Sequence, residues 1–237
     1  MPSTFSVTLA LSVATAGVLS GICMYPPNGP PQTGFRTDRI RWMADTPPKL
    51  FAHIGVVVFL YHALVTLYYQ STASTNAPTL SAICPYPDHL DASAVTWSPR
   101  TMISLLSIFV GSIIRIAAYG GLGSDFTFQL AAPNRLVTSG LYRFVQHPSY
   151  TGLVMVMAGG VGICYRWHTA AIACWMSDAI FYHWRGAAEL AALGGGIVGV
   201  SMLTIRVRDE ERMLKERFGE EWEQWHRRTA RFVPGIM

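Results

Sequence analysis

Two stretches of this chain carry side chains able to do chemistry, and they lie far apart in sequence. The first is Gly140-Leu141-Tyr142-Arg143-Phe144-Val145-Gln146-His147-Pro148-Ser149-Tyr150-Thr151-Gly152, in which a polar segment broken by Pro148 runs straight into an apolar one. His147-Pro148 puts an imidazole on the non-helical side of a helix start, with Pro148 near the first helical position. The unpaired backbone N–H groups there suit an anion such as a carboxylate. A helix cap with an interfacial histidine is the plainer reading of the same pair. The Tyr150 ring could lie on a planar ligand, and Gly152 lets a backbone approach closely. Tyr142 and Arg143 fit either a site or ordinary anchoring at a membrane interface.

The second stretch is the tail from Arg206 onward, where an apolar helix turns into Arg206-Val207-Arg208-Asp209-Glu210-Glu211 and stays charged. Arg206 and Glu210 are four apart on a continuing helix and share a face, while Glu211 points about 100° away. At most one glutamate of the pair is therefore expected to face a site squarely. A surface helix laced with pairs such as Glu211 with Lys215 is the alternative. Against it stands position, because Arg206 emerges at the membrane boundary, where a buried ionisable group is costly and usually functional. A guanidinium there can make a paired hydrogen bond to a carboxylate.

The elements that position these groups follow from composition. Of 237 residues, 51% are hydrophobic and 14% charged, a balance that marks an integral-membrane protein and leaves no stretch for a separate soluble domain. A span needs about 20 largely apolar residues, and residues 6–24, 50–69, 102–121, 150–164 and 190–205 qualify. The expected fold is all-α: an integral-membrane helical bundle of about five transmembrane helices, plus a possible re-entrant helix and a cytosolic C-terminal helix. Residues 25–48 hold six prolines and read as a loop. Arg115 in the third span can snorkel to the interface. Phe218-Gly219 reads as a helix stop before an amphipathic segment carrying Trp222 and Trp225.

Lysine and arginine orient the chain. The first loop has Arg36, Arg39, Arg41 and Lys49; the second has none before Arg100; the third has Arg135 and Arg143; eight of the 18 lie at or after Arg206. This puts loops one and three and the C-terminus in the cytosol, and both chemical stretches with them. Five spans satisfy that parity. The apolar run 169–182 would add a sixth, but 165–189 holds Arg166, His168, Asp178, His183, Arg185 and Glu189, and reads as re-entrant or interfacial. The net charge of +4 is concentrated in the tail and comes with no recognition motif, which argues against a nucleic-acid partner. Cys23, Cys84, Cys164 and Cys174 show no metal-ligand spacing, so neither a metal site nor a disulfide framework is expected, and they read as mostly apolar filler.

The motif around His147, followed by Arg206-x-x-x-Glu210-Glu211-x-x-Leu214, Phe218-Gly219 and Pro234-x-Ile236, resembles the isoprenylcysteine carboxyl methyltransferase family. Upstream, Leu122-Gly123, Phe126-Thr127 and Leu136-Val137-Thr138 fit too. The resemblance covers roughly the second half of the chain and divides it into N-terminal spans, 1–121, and a methyltransferase core, 122–237. It implies transfer of a methyl group from S-adenosylmethionine to the carboxylate of a lipophilic substrate, a prenylated cysteine or a small apolar acid. The reaction would occur at the cytosolic face of the endoplasmic reticulum membrane. By the same resemblance Tyr142, His147, Pro148, Tyr150, Gly152, Glu210 and Glu211 belong to the cofactor pocket, and Arg206 lies beside the reacting carboxylate. Gln146 stands where the family usually has Arg, so a cationic contact is missing or supplied by Arg143.

A carboxylic acid is already ionised at neutral pH, so such a reaction needs no general base; holding donor and acceptor in line is proximity catalysis. The wider set of similar enzymes includes phospholipid N-methyltransferases, whose amine acceptors do need deprotonation. Membrane sterol reductases share a His-Pro-x-Tyr pattern. A scaffold that kept the fold and lost activity is the non-enzymatic alternative.

Overall fold

The computed structural model describes residues 3–30, 38–43, 46–69 and 78–235. Arg36 of the first-loop charge count, residues 71–77 of the second loop and Ile236 of the last motif lie outside the described residues. Among those described, nine α-helices form: α1 Thr4–Met24, α2 Thr46–Tyr68, α3 Pro78–Ile83, α4 Pro99–Leu122, α5 Pro148–Cys164, α6 Ala170–Ala173, α7 Asp178–His183, α8 Ala187–Phe218 and α9 Glu220–His226. An isolated parallel bridge joins Val145 and Ala230. The protein is an all-α integral-membrane protein.

Each expected span coincides with a helix. Four stretches, Thr4–Met24, Thr46–Tyr68, Ala92–Asp125 and Glu189–Phe218, are long and apolar enough to cross a bilayer. The fifth, α5, has 17 residues, about 26 Å at 1.5 Å per residue, slightly under the roughly 30 Å of a hydrocarbon core. Pro47 and Pro48 fall in the first turn of α2, where proline leaves no bond unmade. The helix α8 stops at Phe218 because Gly219 takes φ 53°, a left-handed value that side chains with a Cβ rarely adopt.

Residues 165–189 hold no sixth span. Where one re-entrant helix was expected, the chain forms two short pieces, α6 with four residues and α7 with six. The hydroxyl of Thr169 donates to the carbonyls of Cys164 and Arg166 just before α6, which turns the chain there.

By packing, the chain divides into two compact units made of interleaved segments rather than of two sequence halves. The first comprises Met1–Ile22, His53–Phe109 and Val156–Gly196; the second comprises Cys23–Ala52, Val110–Met155 and Ile197–Met237. In the first, Leu9, Val13, Phe59, Leu105, Ile108 and Ile163 form one core. A second core joins Leu80, Leu90 and Val95 to Trp167, Ala170 and Phe181. That second core corrects the cysteine expectation: Cys84 and Cys174 are disulfide-bonded across 90 residues of sequence. Cys23 and Cys164 are free and buried, as apolar filler would be. No spacing rule reveals such a bond, because it depends on the register in which 78–95 packs on 167–181.

In the second unit, Ala118, Tyr142, Trp222 and Trp225 make a buried cluster beneath α9. Here Arg115 departs from expectation, for it turns inward and is buried instead of snorkelling. Its Nε donates to the Cys23 carbonyl at 2.6 Å, and its Nη1 to Ser149 O and Oγ at 2.9 and 2.8 Å. It thus satisfies a carbonyl at the end of α1 and fixes the start of α5.

Candidate functional site

The two chemical stretches meet within the second unit. The short 3-10 turn Gly140–Arg143 leads into α5, and the residues between are pinned to the tail by backbone bonds: Gln146 N donates to Ala230 O at 2.8 Å and His147 N to Arg231 O at 3.0 Å. This fixes His147 just ahead of Pro148, the first residue of α5, with its ring 3% exposed. The carbonyl of His147 accepts from the N–H groups of Tyr150 and Thr151, which satisfies two of the donors at the helix start.

From His147 a continuous polar chain runs along α8. His147 Nε2 is 3.4 Å from Glu211 Oε1, and its Nδ1 is 3.9 Å from Glu210 Oε1. Both glutamates therefore flank one imidazole, whereas the sequence expectation allowed only one to face the site. The ring sits in the notch between the two side-chain directions, and a separation of about 100° brackets it. The Tyr150 hydroxyl donates to Glu210 Oε2 at 2.7 Å and accepts from Arg206 Nε at 3.3 Å. Arg206 is buried; its Nη1 donates to Asp38 Oδ2 at 3.0 Å and its Nη2 to the Phe128 carbonyl. At the other end, Arg231 pairs with both oxygens of Glu211, Nε to Oε1 and Nη2 to Oε2, each at 3.0 Å.

Electrostatics follow from these contacts. Burial raises the Glu211 carboxyl, but hydrogen bonding to His147 and the charges of His147, Arg231 and His226 outweigh it and hold the group below its usual range. Burial, reinforced by Glu210 and Tyr150, pushes the Tyr142 phenol up, so it stays protonated. Burial lowers His226, with Glu211 opposing and Arg231 and His147 adding to the shift.

The remaining expected site residues are placed as follows. Tyr142 is buried, its hydroxyl donates to Ala118 O at 3.3 Å, and its carbonyl accepts from Trp225 Nε1 at 3.0 Å. Pro148 is fully buried. Gly152 does serve a close approach, but to another helix: a Cβ there would lie 2.5 Å from Gly111 O and 2.9 Å from Arg115 N. Arg143 is exposed, and the cation beside the His147–Glu211 pair is Arg231 instead. Gln146 is a fastener: Nε2 donates to the carbonyls of His226 and Thr229, and Oε1 lies 2.8 Å from His226 Nδ1. An arginine has no acceptor to offer that imidazole.

Sequence reasoning passed over Asp38, Arg39, Asp209 and Arg231. Arg39 forks onto Asp209, which is 1% exposed, with Nη2 to Oδ1 at 2.6 Å; the paired carboxylate raises the Arg39 pKa further. One signal was available: Asp38-Arg39 and Arg206-x-x-Asp209 carry complementary charges, the latter pair on one helical face. Among the described residues no cluster of His, Cys, Asp and Glu could hold a metal ion.

Comparison with known proteins agrees with the motifs. The sequence model of the isoprenylcysteine carboxyl methyltransferase (ICMT) family matches residues 102–195, which includes the His147 motif and ends before Arg206. A protein-S-isoprenylcysteine O-methyltransferase of Dictyostelium discoideum is 24% identical over 138 residues, 56% of this chain and 49% of the relative. Protein-S-isoprenylcysteine O-methyltransferase B of Arabidopsis thaliana is 28% identical over 139 residues, 56% of this chain and 58% of the relative. A probable protein-S-isoprenylcysteine O-methyltransferase of Oryza sativa subsp. indica is 24% identical over 139 residues, 56% of this chain and 61% of the relative. The chain thus spans between about half and three fifths of the relatives it matches. Over residues 102–195 this chain is similar to the isoprenylcysteine carboxyl methyltransferase family, and the relatives it matches carry that family's name.

Proposed function

We propose that this chain is a membrane carboxyl O-methyltransferase that uses S-adenosylmethionine to esterify the carboxylate of a lipophilic acceptor, with an S-prenylated cysteine as first choice. The observation that carries the proposal is the buried Arg206 guanidinium holding a carboxylate, that of Asp38, at one end of the Tyr150–Glu210–His147–Glu211 chain. A guanidinium so placed favours an anionic acceptor and disfavours the ammonium of a phospholipid amine.

The donor set fits the cofactor. Glu210 and Glu211 offer two carboxylates to a ligand carrying sulfonium and ammonium charges, and His147 and Arg231 temper them so that the pair is not left unbalanced. When bound, that cofactor supplies the electrophilic methyl group. In this assignment Glu210, Glu211, His147 and Tyr150 hold the donor, while Tyr142, Pro148 and Gly152 shape the walls behind them. Arg206 would hold the acceptor carboxylate, which is ionised at neutral pH and so needs no base. Arg115 and Gln146 keep α5 and the tail in register.

The cytosolic, endoplasmic reticulum setting belongs to the same proposal. The loop charge count assigns Cys84 and Cys174 to the non-cytosolic side, and a disulfide between them suits an oxidising lumen. The direct test incubates membranes containing the protein with labelled S-adenosylmethionine and N-acetyl-S-farnesylcysteine, then a lipid extract. Base-labile label in the farnesylcysteine fraction is expected. Base-stable label in phospholipid would transfer the reading to N-methylation.

A further inference from the structure

Asp38 and Arg39 are neighbours, and each makes an ion pair with α8, yet the two pairs are built differently. Arg39 grips Asp209 with a fork, its Nε 3.1 and 3.0 Å from Oδ1 and Oδ2 and its Nη2 2.6 Å from Oδ1, so both oxygens are served. Asp38 uses one oxygen for everything. Its Oδ2 accepts from Arg206 Nη1 at 3.0 Å and from the Leu130 backbone N–H at 2.9 Å, while its Oδ1 is buried with no partner among the described residues. The side chain is only 2% exposed. A buried carboxylate oxygen without a donor has given up hydration for nothing, which is how an exchangeable contact differs from a permanent one such as Asp209.

Asp38 also lines a shallow cavity of about 590 Å³ that is wide open to the surface, together with Arg39, Arg41, Trp42, Thr46 and Gln129. Gln129 Oε1 is a second buried acceptor with no partner among the described residues. We propose that the Arg206 guanidinium and the Leu130 N–H form a carboxylate subsite, and that Asp38 is its resident occupant, displaced when an acceptor carboxylate enters through this cavity. The proposal rests on the carboxyl methylation reading above and adds to it a residue that sets specificity. The Arg39–Asp209 fork holds the segment in place, so exchange needs only rotation of the Asp38 side chain into the space it already lines. Two carboxylates cannot share Arg206 while Glu210 lies nearby, because the second would be a buried charge without compensation. A neutral acceptor has nothing to offer Arg206 in exchange for Asp38, so the device selects anions.

The experiment compares wild type, Asp38→Ala and Asp38→Asn as purified full-length proteins, with N-acetyl-S-farnesylcysteine as acceptor and acetate as a small carboxylate probe. An occupant present about nine-tenths of the time raises apparent KM roughly tenfold. Asp38→Ala should therefore lower the acceptor KM about tenfold with kcat little changed, and acetate should compete with the acceptor in this variant and not in wild type. Asp38→Asn should shift KM in the same direction by less, and it decides the matter if the alanine variant does not fold. If Asp38 merely orients Arg206, both variants lose activity and acetate restores it; a KM at or above the wild-type value in the folded variants overturns the proposal. If wild type forms no base-labile ester at all, the methylation reading fails on its own account. The subsite is then judged by thermal shift: acetate must raise the melting temperature of Asp38→Ala more than that of wild type, and equal shifts overturn it.

Discussion

Replacing Arg206 by lysine keeps the charge and removes the fork, which isolates what the guanidinium geometry contributes. Arg206 serves three partners in three directions: Nε to the Tyr150 hydroxyl at 3.3 Å, Nη1 to Asp38 Oδ2 at 3.0 Å and Nη2 to the Phe128 carbonyl. A single ammonium at the end of a flexible stem cannot span that fan. Charge attraction keeps it on Asp38, so Tyr150 and Phe128 O lose their donor. A hydrogen bond involving a charged group is worth about 1.5–3 kcal/mol, so losing even one of them costs at least as much as the ~1.4 kcal/mol that corresponds to tenfold in kcat/KM. Arg206→Lys should therefore lower kcat/KM for the carboxylate acceptor by more than tenfold, with a smaller effect on cofactor affinity, since Tyr150 loses one contact but keeps its bond to Glu210 and the His147–Glu211 end of the network is untouched. The assay is the initial rate of base-labile ester formation, normalised to the protein that elutes as a single species in detergent. A lysine variant within threefold of wild type would refute the clamp. So would amine methylation by the wild type that becomes faster in Arg206→Ala.

Four further outcomes are expected. Glu211 has a depressed folded-state pKa, so its contribution to stability is present above its unfolded value near 4.5 and is lost as pH falls through the lower folded value; thermal unfolding across the acid range should show this slope in wild type and a flatter one in Glu211→Gln. Cys84→Ser opens a bond that closes 90 residues of chain, and should cost about 2–4 kcal/mol by thermal unfolding, with reductant having no added effect on the variant. Gly152→Ala drives a Cβ to 2.5 Å from Gly111 O, and should destabilise by about 1–3 kcal/mol; a melting temperature equal to wild type would show that α4 and α5 have room to part. A C-terminal tag should be open to protease in sealed microsomes of cytosolic-side-out orientation, and protection would mean that the parity taken from the loop charges is wrong.

What the sequence by itself determined is local. Five helices lie on the apolar runs, α8 continues past Arg206, and it stops before Gly219, because run length and backbone preference act within a few residues. The meeting of His147, Tyr150 and Glu210 was also legible, since loop charges put both stretches on one side and helical periodicity put Arg206 and Glu210 on one face. Other features required the tertiary structure. Cys84 finds Cys174, Arg115 reaches Cys23 O, Gln146 clasps His226, and Asp38-Arg39 crosses to Arg206 and Asp209, each over tens of residues of sequence. Pairings of that kind depend on how far one helix slides and turns against another, and a shift of one residue, about 100° around a helix, would send every one of these side chains elsewhere. The same cause decided that both glutamates flank His147: the direction of each is written in the helix, but the position of the imidazole between them is set by where the tail pins residues 145–147.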